Sequence, residues 1–296
     1  MTNELVPSEE AGDSVPAVRR EPMTFLADDG RVLAGNWFRP SEGPSGAVLL
    51  VPAMATPASF YGAFASWLAE RGFLTLTFDY RGMGGPSEMR AEQGDMLRWA
   101  GDAASALQAM LEEAPAGLPV TWLGHSLGGQ LLPFARHDLI DHALLVASGL
   151  GYYRWNTPRI RRVTPLLRVV APMAIRVAGY YPGRRLRMLG DVPPNVMRQW
   201  ARWCMSPKYY GIDVPDIVDR AREITLSMDS LTFTDDELLG ERSHQALESL
   251  YAASRPNVRR VAPRDHGLQR IGHHGFFRAR MRPLWDDLAL PRLPTR

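Results

Sequence analysis

One pentapeptide of the 296-residue sequence has the residue types and spacing of a catalytic nucleophile: Gly124-His125-Ser126-Leu127-Gly128. It fits the pattern G-x-S-x-G, in which a serine occupies a strained turn between a strand and a helix and exposes its hydroxyl. Glycines are needed on both sides because side chains there would collide with neighbouring backbone. The N–H of Leu127 would begin the helix and point at the oxyanion formed when a carbonyl is attacked. The pentapeptide predicts an acyl-transfer nucleophile; the alternative is a glycine-tight turn with an incidental serine.

A serine nucleophile needs a base and an acid that orients the base. The run Thr234-Asp235-Asp236-Glu237 follows a strand-like segment, at the sheet edge where such sites lie. We expect Asp236 to be the acid because it stands a few residues past the strand, with Asp235 as the alternative. A helix N-cap in the same run is compatible with this role.

Two adjacent histidines follow the last strand-like segment, where the base is expected. We favour His273 because Gly272 lets the chain bend and Phe276-Phe277 can anchor the following helix. His274 is the alternative, and two loop histidines without catalytic duty would be the non-catalytic interpretation. A surface role is expected for three histidines on or beside predicted helices: His137, His142 and His244.

A second oxyanion donor is expected in the loop Pro52–Pro57, after an apolar run. Its small residues allow close backbone approach, and we select the N–H of Met54. A proline-bounded loop without a special amide is the alternative.

The elements that would position these residues alternate between short apolar strands and longer helices. This pattern predicts a mostly parallel central sheet flanked by helices on both faces. A hairpin around Asp28-Asp29-Gly30 precedes the sheet. The predicted strands are 23–27, 31–38, 47–51, 73–78, 120–123, 143–147, 228–233 and 258–261, and the predicted helices are 59–71, 93–113, 241–252 and two that start at 126 and 276.

The alternation stops between residues 150 and 215, which are rich in Arg, Pro, Tyr and Trp and contain no convincing strand. We predict a helical cap over this range, inserted into a core formed by residues 22–149 and 216–296. Residues 1–21 are expected to be a disordered tail, because they are polar and aperiodic.

The predicted cap is strongly basic, although the net charge of the chain is only +2. From Leu150 to Tyr210 there are eleven arginines and one lysine against one aspartate. Three interpretations are open: a solvated surface, an anionic or carrier-linked acyl substrate, or attachment to an anionic membrane. We expect a mostly apolar acyl pocket with one or two arginines reaching in. The low net charge and the lack of a recognition motif argue against nucleic acid as a partner.

Other classes of protein are excluded by composition. The single cysteine, Cys204, rules out an internal disulfide, and no cluster has metal-ligand spacing. No secretory signal and no run of roughly 18 apolar residues is present, so no transmembrane segment is expected and a cytoplasmic location is predicted. No metal or cofactor is expected, and a homodimer is compatible with the sequence.

Several motifs together resemble bacterial α/β-hydrolases related to the serine aminopeptidase and lysophospholipase-like group. They are 79–84 (DYRGMG), 124–129 (GHSLGG), 199–204 (QWARWC), 272–277 (GHHGFF) and the pair Asp235-Asp236. The resemblance runs from about residue 22 to 285 and implies the α/β-hydrolase fold with a Ser–Asp–His site. One departure is Pro52-Ala53, where the wider superfamily commonly has His-Gly, and it weakens the assignment of the second oxyanion donor.

The sequence therefore predicts a hydrolase of carboxylic esters or thioesters that forms an acyl-enzyme on a small-molecule substrate. An amide or peptide hydrolase, or an acyltransferase, would use the same three residues. A catalytically silent binding protein on the same fold is the alternative from another class.

Overall fold

The computed structural model describes residues 18–296, in which eight strands form one sheet. The strand order is β1-β2-β4-β3-β5-β6-β7-β8; β2 pairs antiparallel with β1 and β4, and the remaining pairs are parallel. The predicted mostly parallel sheet is confirmed. The strands are β1 Arg19–Leu26, β2 Val32–Arg39, β3 Gly46–Val51, β4 Phe73–Phe78, β5 Val120–His125, β6 His142–Val146, β7 Ser227–Phe233 and β8 Asn257–Val261.

Both faces of the sheet are covered, as its uninterrupted apolar strands require. Along β3, Leu49 and Val51 belong to one hydrophobic cluster, while Val48 and Leu50 belong to a second cluster on the opposite face. The helices are α1 Gly62–Glu70, α2 Pro86–Ala91, α3 Met96–Glu113, α4 Leu127–Gln130, α5 Pro158–Val163, α6 Leu167–Ala178, α7 Gly183–Leu186, α8 Pro194–Cys204, α9 Ile217–Glu223, α10 Glu241–Leu250, α11 Gly272–Gly275 and α12 Arg282–Leu284.

Three predicted boundaries were wrong. β1 begins at Arg19, inside the predicted tail, because Arg19–Glu21 pairs with the end of β2; residues 1–17 of that tail lie outside the described range. The long helix α3 begins at Met96 rather than 93, since the Asp95 side chain accepts the N–H groups of the first turn. The last helix does not start at 276: α11 is a single turn that contains both candidate histidines.

The segment between β6 and β7 holds helices α5–α9 and, within the described chain, no strand. Helix α6 packs on α8 through its buried residues Leu167, Ala171 and Ile175. The insertion is tied to the core where the Gln199 Oε1 accepts the Met96 N–H at 2.7 Å, at the start of α3. Within residues 18–296, no helix has the length and apolar character needed to cross a bilayer.

Candidate active site

Ser126 stands on the turn between β5 and α4 in a strained conformation, with φ of 52° and ψ of −106°. Its N–H is held by the carbonyl of Val146 at 3.0 Å. A Cβ at Gly124 would lie 2.5 Å from the N of Gly129, and one at Gly128 would strike the carbonyl of Val51. Side chains are therefore excluded from both glycine positions, for the steric reason that the sequence motif predicts.

Asp236 and His273 form a buried pair close to this turn. The His273 Nδ1 lies 2.7 Å from the Asp236 Oδ2, and both side chains are almost fully buried. The other carboxylate oxygen accepts the N–H groups of Leu238 and Leu239 at 2.8 and 2.9 Å. Burial alone raises the pKa of Asp236, but the His273 ring and these two amides overcome that cost and hold the pKa below its ordinary value.

The two carboxylates beside Asp236 hold the backbone that carries the histidine. Asp235 Oδ2 accepts the N–H groups of Ile271 and Gly272 at 2.9 and 3.0 Å. Glu237 Oε2 accepts the His273 N–H at 3.1 Å. Three successive acids thus contact one turn of chain, and only Asp236 contacts the imidazole of His273.

His274, the alternative base, points to different partners. Its Nε2 lies 3.5 Å from the Thr56 hydroxyl, and its ring packs edge-on against Phe60. Burial, together with the neighbouring His273 ring, lowers the pKa of His274 to about 4. At neutral pH this imidazole is uncharged, and its pKa lies far from the value that suits a general base.

His244 and His142 are buried, contrary to the expected surface role. The His244 Nδ1 donates to the Ser148 carbonyl at 2.7 Å, and its Nε2 lies 3.9 Å from the Asp236 Oδ2. Burial lowers the pKa of His244. The burial of His244 could have been predicted from the spacing, because His244, Leu247 and Tyr251 stand at i, i+3 and i+7, on the apolar face of α10.

Leu127 and Met54, the predicted oxyanion donors, line the same cavity as Ser126. The neighbouring Ala53 N–H is already used, because it donates to the Tyr61 hydroxyl at 2.9 Å. Within residues 18–296, the N–H groups of Leu127 and Met54 donate to no protein acceptor. Both amides are therefore available to a ligand.

A buried chain of hydrogen bonds connects the Pro52–Pro57 loop, the serine turn and the histidine turn. Tyr61, which accepts from Ala53, donates to the His125 Nδ1 at 2.8 Å. The His125 Nε2 then donates to the carbonyl of His273 at 3.0 Å. Burial, followed by the charges of the two nearby histidines, holds the pKa of His125 well below its usual range, so the ring is neutral.

The cavity beside Ser126 has a volume of about 110 Å³ and is mainly apolar. Within the described chain, none of its lining residues is an arginine, so the expectation that one or two arginines reach in was wrong. The arginines of α5 and α6 are exposed on the outer side, while Ile160, Val163 and Leu167 of the same segment face inward. Among residues 18–296, no Asp or Glu lines the cavity.

Arg81 donates hydrogen bonds to Asp102 from one edge of its guanidinium and to Asp29 from another, at distances of 2.6 to 3.1 Å. Asp79, two residues before Arg81, accepts the Ala58 N–H at 2.8 Å. The Arg81 interactions brace the sheet edge and reach none of the cavity residues.

This combination of a mostly parallel, helix-flanked sheet with a strained serine turn between β5 and α4 is the α/β-hydrolase fold. Residues 42–186 match the model of the family described as serine aminopeptidase, S33. The resemblance of the sequence to α/β-hydrolases is thus confirmed.

Solved structures with the same fold cover nearly the whole chain. A soluble variant of monoglyceride lipase from Saccharomyces cerevisiae, in complex with a substrate analogue, is 15% identical, with a TM-score of 0.66 over 96% of this chain and 99% of its own. An esterase from Pyrococcus furiosus is 12% identical, with a TM-score of 0.59 over 97% and 94%. A cold-adapted esterase from an Arctic intertidal metagenomic library is 17% identical, with a TM-score of 0.55 over 97% and 100%. Comparison with curated protein sequences finds no match.

Proposed function

We propose that the protein hydrolyses carboxylic esters or thioesters through an acyl-enzyme on Ser126. The observation that carries the proposal is the 2.7 Å hydrogen bond between His273 and Asp236, in a pair whose histidine lines the same cavity as the serine. A serine at a strained turn, a histidine and a buried carboxylate are the three groups that nucleophilic acyl transfer requires.

In this mechanism His273 removes the proton from Ser126 as the serine attacks the acyl carbon. Asp236 fixes the imidazole tautomer and stabilises its positive charge, and the N–H groups of Leu127 and Met54 bind the oxyanion. The alcohol or thiol leaves with a proton from His273, and water then attacks the acyl-enzyme with the same base. Among residues 18–296 no hydrogen bond joins the Ser126 hydroxyl to His273; such contacts are often long before a substrate binds.

The lining of the cavity favours a neutral acyl group over an aminopeptidase substrate. Recognition of a free amino terminus calls for a carboxylate, and none lines this cavity among the described residues. Its wall is formed largely by apolar side chains such as Ile160, Val163, Leu167 and Leu239. The esterases and the lipase with the same fold support the same substrate class. An anionic or carrier-linked substrate would have to keep its charge outside, near the exposed arginines.

A fluorophosphonate probe tests the nucleophile directly. We expect the wild-type protein to be labelled and Ser126→Ala, folded to the same degree by circular dichroism, to remain unlabelled. A panel of p-nitrophenyl esters, matching thioesters and aminoacyl anilides then ranks the substrates, with short neutral esters expected first. Folded wild-type protein that never reacts with the probe would support the silent binding protein instead, whereas preference for anilides would favour the amide hydrolase.

A further inference from the structure

Four exposed apolar side chains form a stripe on the outer side of the insertion. Leu166, Val169, Met173 and Val177 are 57%, 64%, 65% and 89% exposed, respectively. They follow one another at intervals of three or four residues along α6 and the turn before it, so they lie on one face. Four of the nine large hydrophobic side chains that are exposed within the described chain are therefore on α6 and the turn before it.

This stripe is additional to the face that anchors the helix. Leu167, Ala171 and Ile175 already bury a separate face of α6 against the protein. A surface helix of a soluble protein needs only one apolar face, and the remainder is normally polar. A second, contiguous apolar face indicates an interaction surface.

The surroundings of the stripe carry unpaired positive charge. Arg162, Arg168 and Arg176 are exposed on the same helical segment, and no Asp or Glu occurs between residues 150 and 190. Of the eleven arginines from 150 to 210, only Arg202 forms an ion pair within the described residues. The surface therefore combines aliphatic side chains with arginines that form no ion pair with an acid among residues 18–296.

We propose that this face of α6 docks on an anionic lipid bilayer, with the apolar stripe inserted at the headgroup level and the arginines against lipid phosphates. An amphipathic helix with apolar residues on one side and arginines beside them binds membrane interfaces in this way. The proposal goes beyond ester hydrolysis and does not depend on it. Docking would bring lipid substrates close to the cavity. Val163 and Leu167 line the cavity from the same segment, so docking places a cavity wall beside the bilayer.

Two other occupants fit the surface less well. A second copy of the chain would bring the unpaired arginines of both copies together, and like charges at an interface are unfavourable. An acidic protein partner would be expected to meet aromatic anchors, because protein interfaces concentrate their binding energy in Trp, Tyr and Arg. The stripe consists of Leu, Val and Met only.

Vesicle flotation with the Ser126→Ala protein tests docking without any turnover. We expect binding to equimolar phosphatidylcholine and phosphatidylglycerol vesicles, and at least about tenfold weaker binding to phosphatidylcholine alone. The combined change Val169→Asn, Met173→Gln and Val177→Asn should lower the affinity at least about tenfold. Its matched control is Leu26→Gln, Val32→Asn and Val258→Asn, which removes three exposed apolar side chains elsewhere and should leave binding unchanged.

A second pair of variants tests how much the arginines contribute to vesicle binding. Arg162→Gln with Arg176→Gln should weaken binding about tenfold or more, whereas Arg264→Gln with Arg280→Gln, also exposed but far along the chain, should not. Ser126→Ala protein with an unchanged α6 that does not bind anionic vesicles, or apolar-stripe variants of it that bind equally well, would overturn the proposal. A wild-type dimer in light scattering that the stripe variant converts to monomer would instead assign the face to self-association. Because binding is measured on Ser126→Ala, neither result bears on the hydrolase proposal.

Discussion

The carboxylate of Asp236 and the imidazole of His273 meet across 37 residues of sequence in a 2.7 Å hydrogen bond. Two backbone amides, those of Leu238 and Leu239, fix the other oxygen of the carboxylate. The acid is thus held independently of the histidine and can orient it. With Nδ1 bound to Asp236, the proton-accepting Nε2 is the nitrogen left for the serine.

Substitutions of the two neighbouring aspartates should have clearly different effects on kcat. We expect Asp236→Asn to fold normally but to lower kcat by about 10⁴-fold, because an amide holds the imidazole in the wrong tautomer. Asp235→Asn keeps an oxygen to accept the Ile271 and Gly272 amides, so its kcat should fall by no more than about tenfold. Steady-state hydrolysis of the best p-nitrophenyl ester measures both. Equal losses in the two variants would contradict the assignment of distinct roles.

Substitutions of the two adjacent histidines should also differ in their effect on kcat. His273→Ala should remove measurable turnover, because no other base faces the serine in the proposed mechanism. His274→Gln should retain most of kcat, since the wild-type ring is neutral with a pKa of about 4. The pH dependence of kcat/KM for His274→Gln should follow that of the wild type. Loss of activity in His274→Gln with a folded protein, and survival in His273→Ala, would exchange the two assignments.

The hydrogen bonds through Tyr61 offer a test of how the Pro52–Pro57 loop, the serine turn and the histidine turn are held together. Tyr61→Phe leaves both the Ala53 N–H and the His125 Nδ1 without a partner, which should lower the free energy of unfolding by about 2–4 kcal/mol. Tyr80→Phe is the matched control: Tyr80 is equally buried, but its hydroxyl makes a single hydrogen bond, to the Pro52 carbonyl at 3.0 Å. It should lose about 1 kcal/mol.

Urea unfolding measures both variants, and activity adds a second criterion. Because Tyr61 links the Pro52–Pro57 loop to the histidine turn, Tyr61→Phe should reduce kcat more than it raises KM. Tyr80→Phe, whose hydroxyl holds the same loop only at the Pro52 carbonyl, should reduce kcat less. Similar unfolding free energies for the two variants would show that the series of hydrogen bonds through Tyr61 stabilises the fold no more than a single hydrogen bond does.

The central strands β3, β4, β5 and β6 could be predicted from sequence because each is a short, largely apolar run that the sheet buries on both faces. The same holds for the serine turn, since sterics at Gly124 and Gly128 leave few alternatives. Helix ends were harder: whether a helix starts at 93 or 96 depends on the Asp95 cap, and the last predicted helix breaks into single turns after α11.

Side-chain partners were the least predictable part of the site. Sequence order could place an acid and a histidine in the right loops, but the difference between Asp235 and Asp236 lies in which one faces a ring and which one faces backbone amides. The arginines of the insertion were expected in the cavity because charge is visible in sequence while the direction of each side chain is not. His244 was wrongly expected at the surface, although its spacing with Leu247 and Tyr251 indicates burial; its partner, the Ser148 carbonyl, lies 96 residues away and could not be predicted.

The buried neutral histidines predict how stability depends on pH. Burial lowers the pKa of His125, His244 and His274 below the ordinary 6.5, to about 4 for His274. Above pH 6.5 neither the folded nor the unfolded chain binds these protons, so their full contribution is present. As the pH falls from 6.5 towards 4, the unfolded chain takes up the protons first, and stability is lost. His274 alone would account for about 3 kcal/mol of that loss.

Urea unfolding at a series of pH values across this window checks the prediction. The free energy of unfolding should fall steadily from about pH 6.5 towards pH 4, before most carboxylates titrate. The matched variant His274→Gln removes one of the titrating groups, so its stability should decline less steeply and approach that of the wild type at the acid end. A wild-type stability that stays constant down to pH 4, or an unchanged slope in His274→Gln, would mean that the ring takes up its proton as readily folded as unfolded. The same experiment separates these histidines from Asp236, whose lowered pKa contributes stability that is lost only as the pH falls further, through its own folded value.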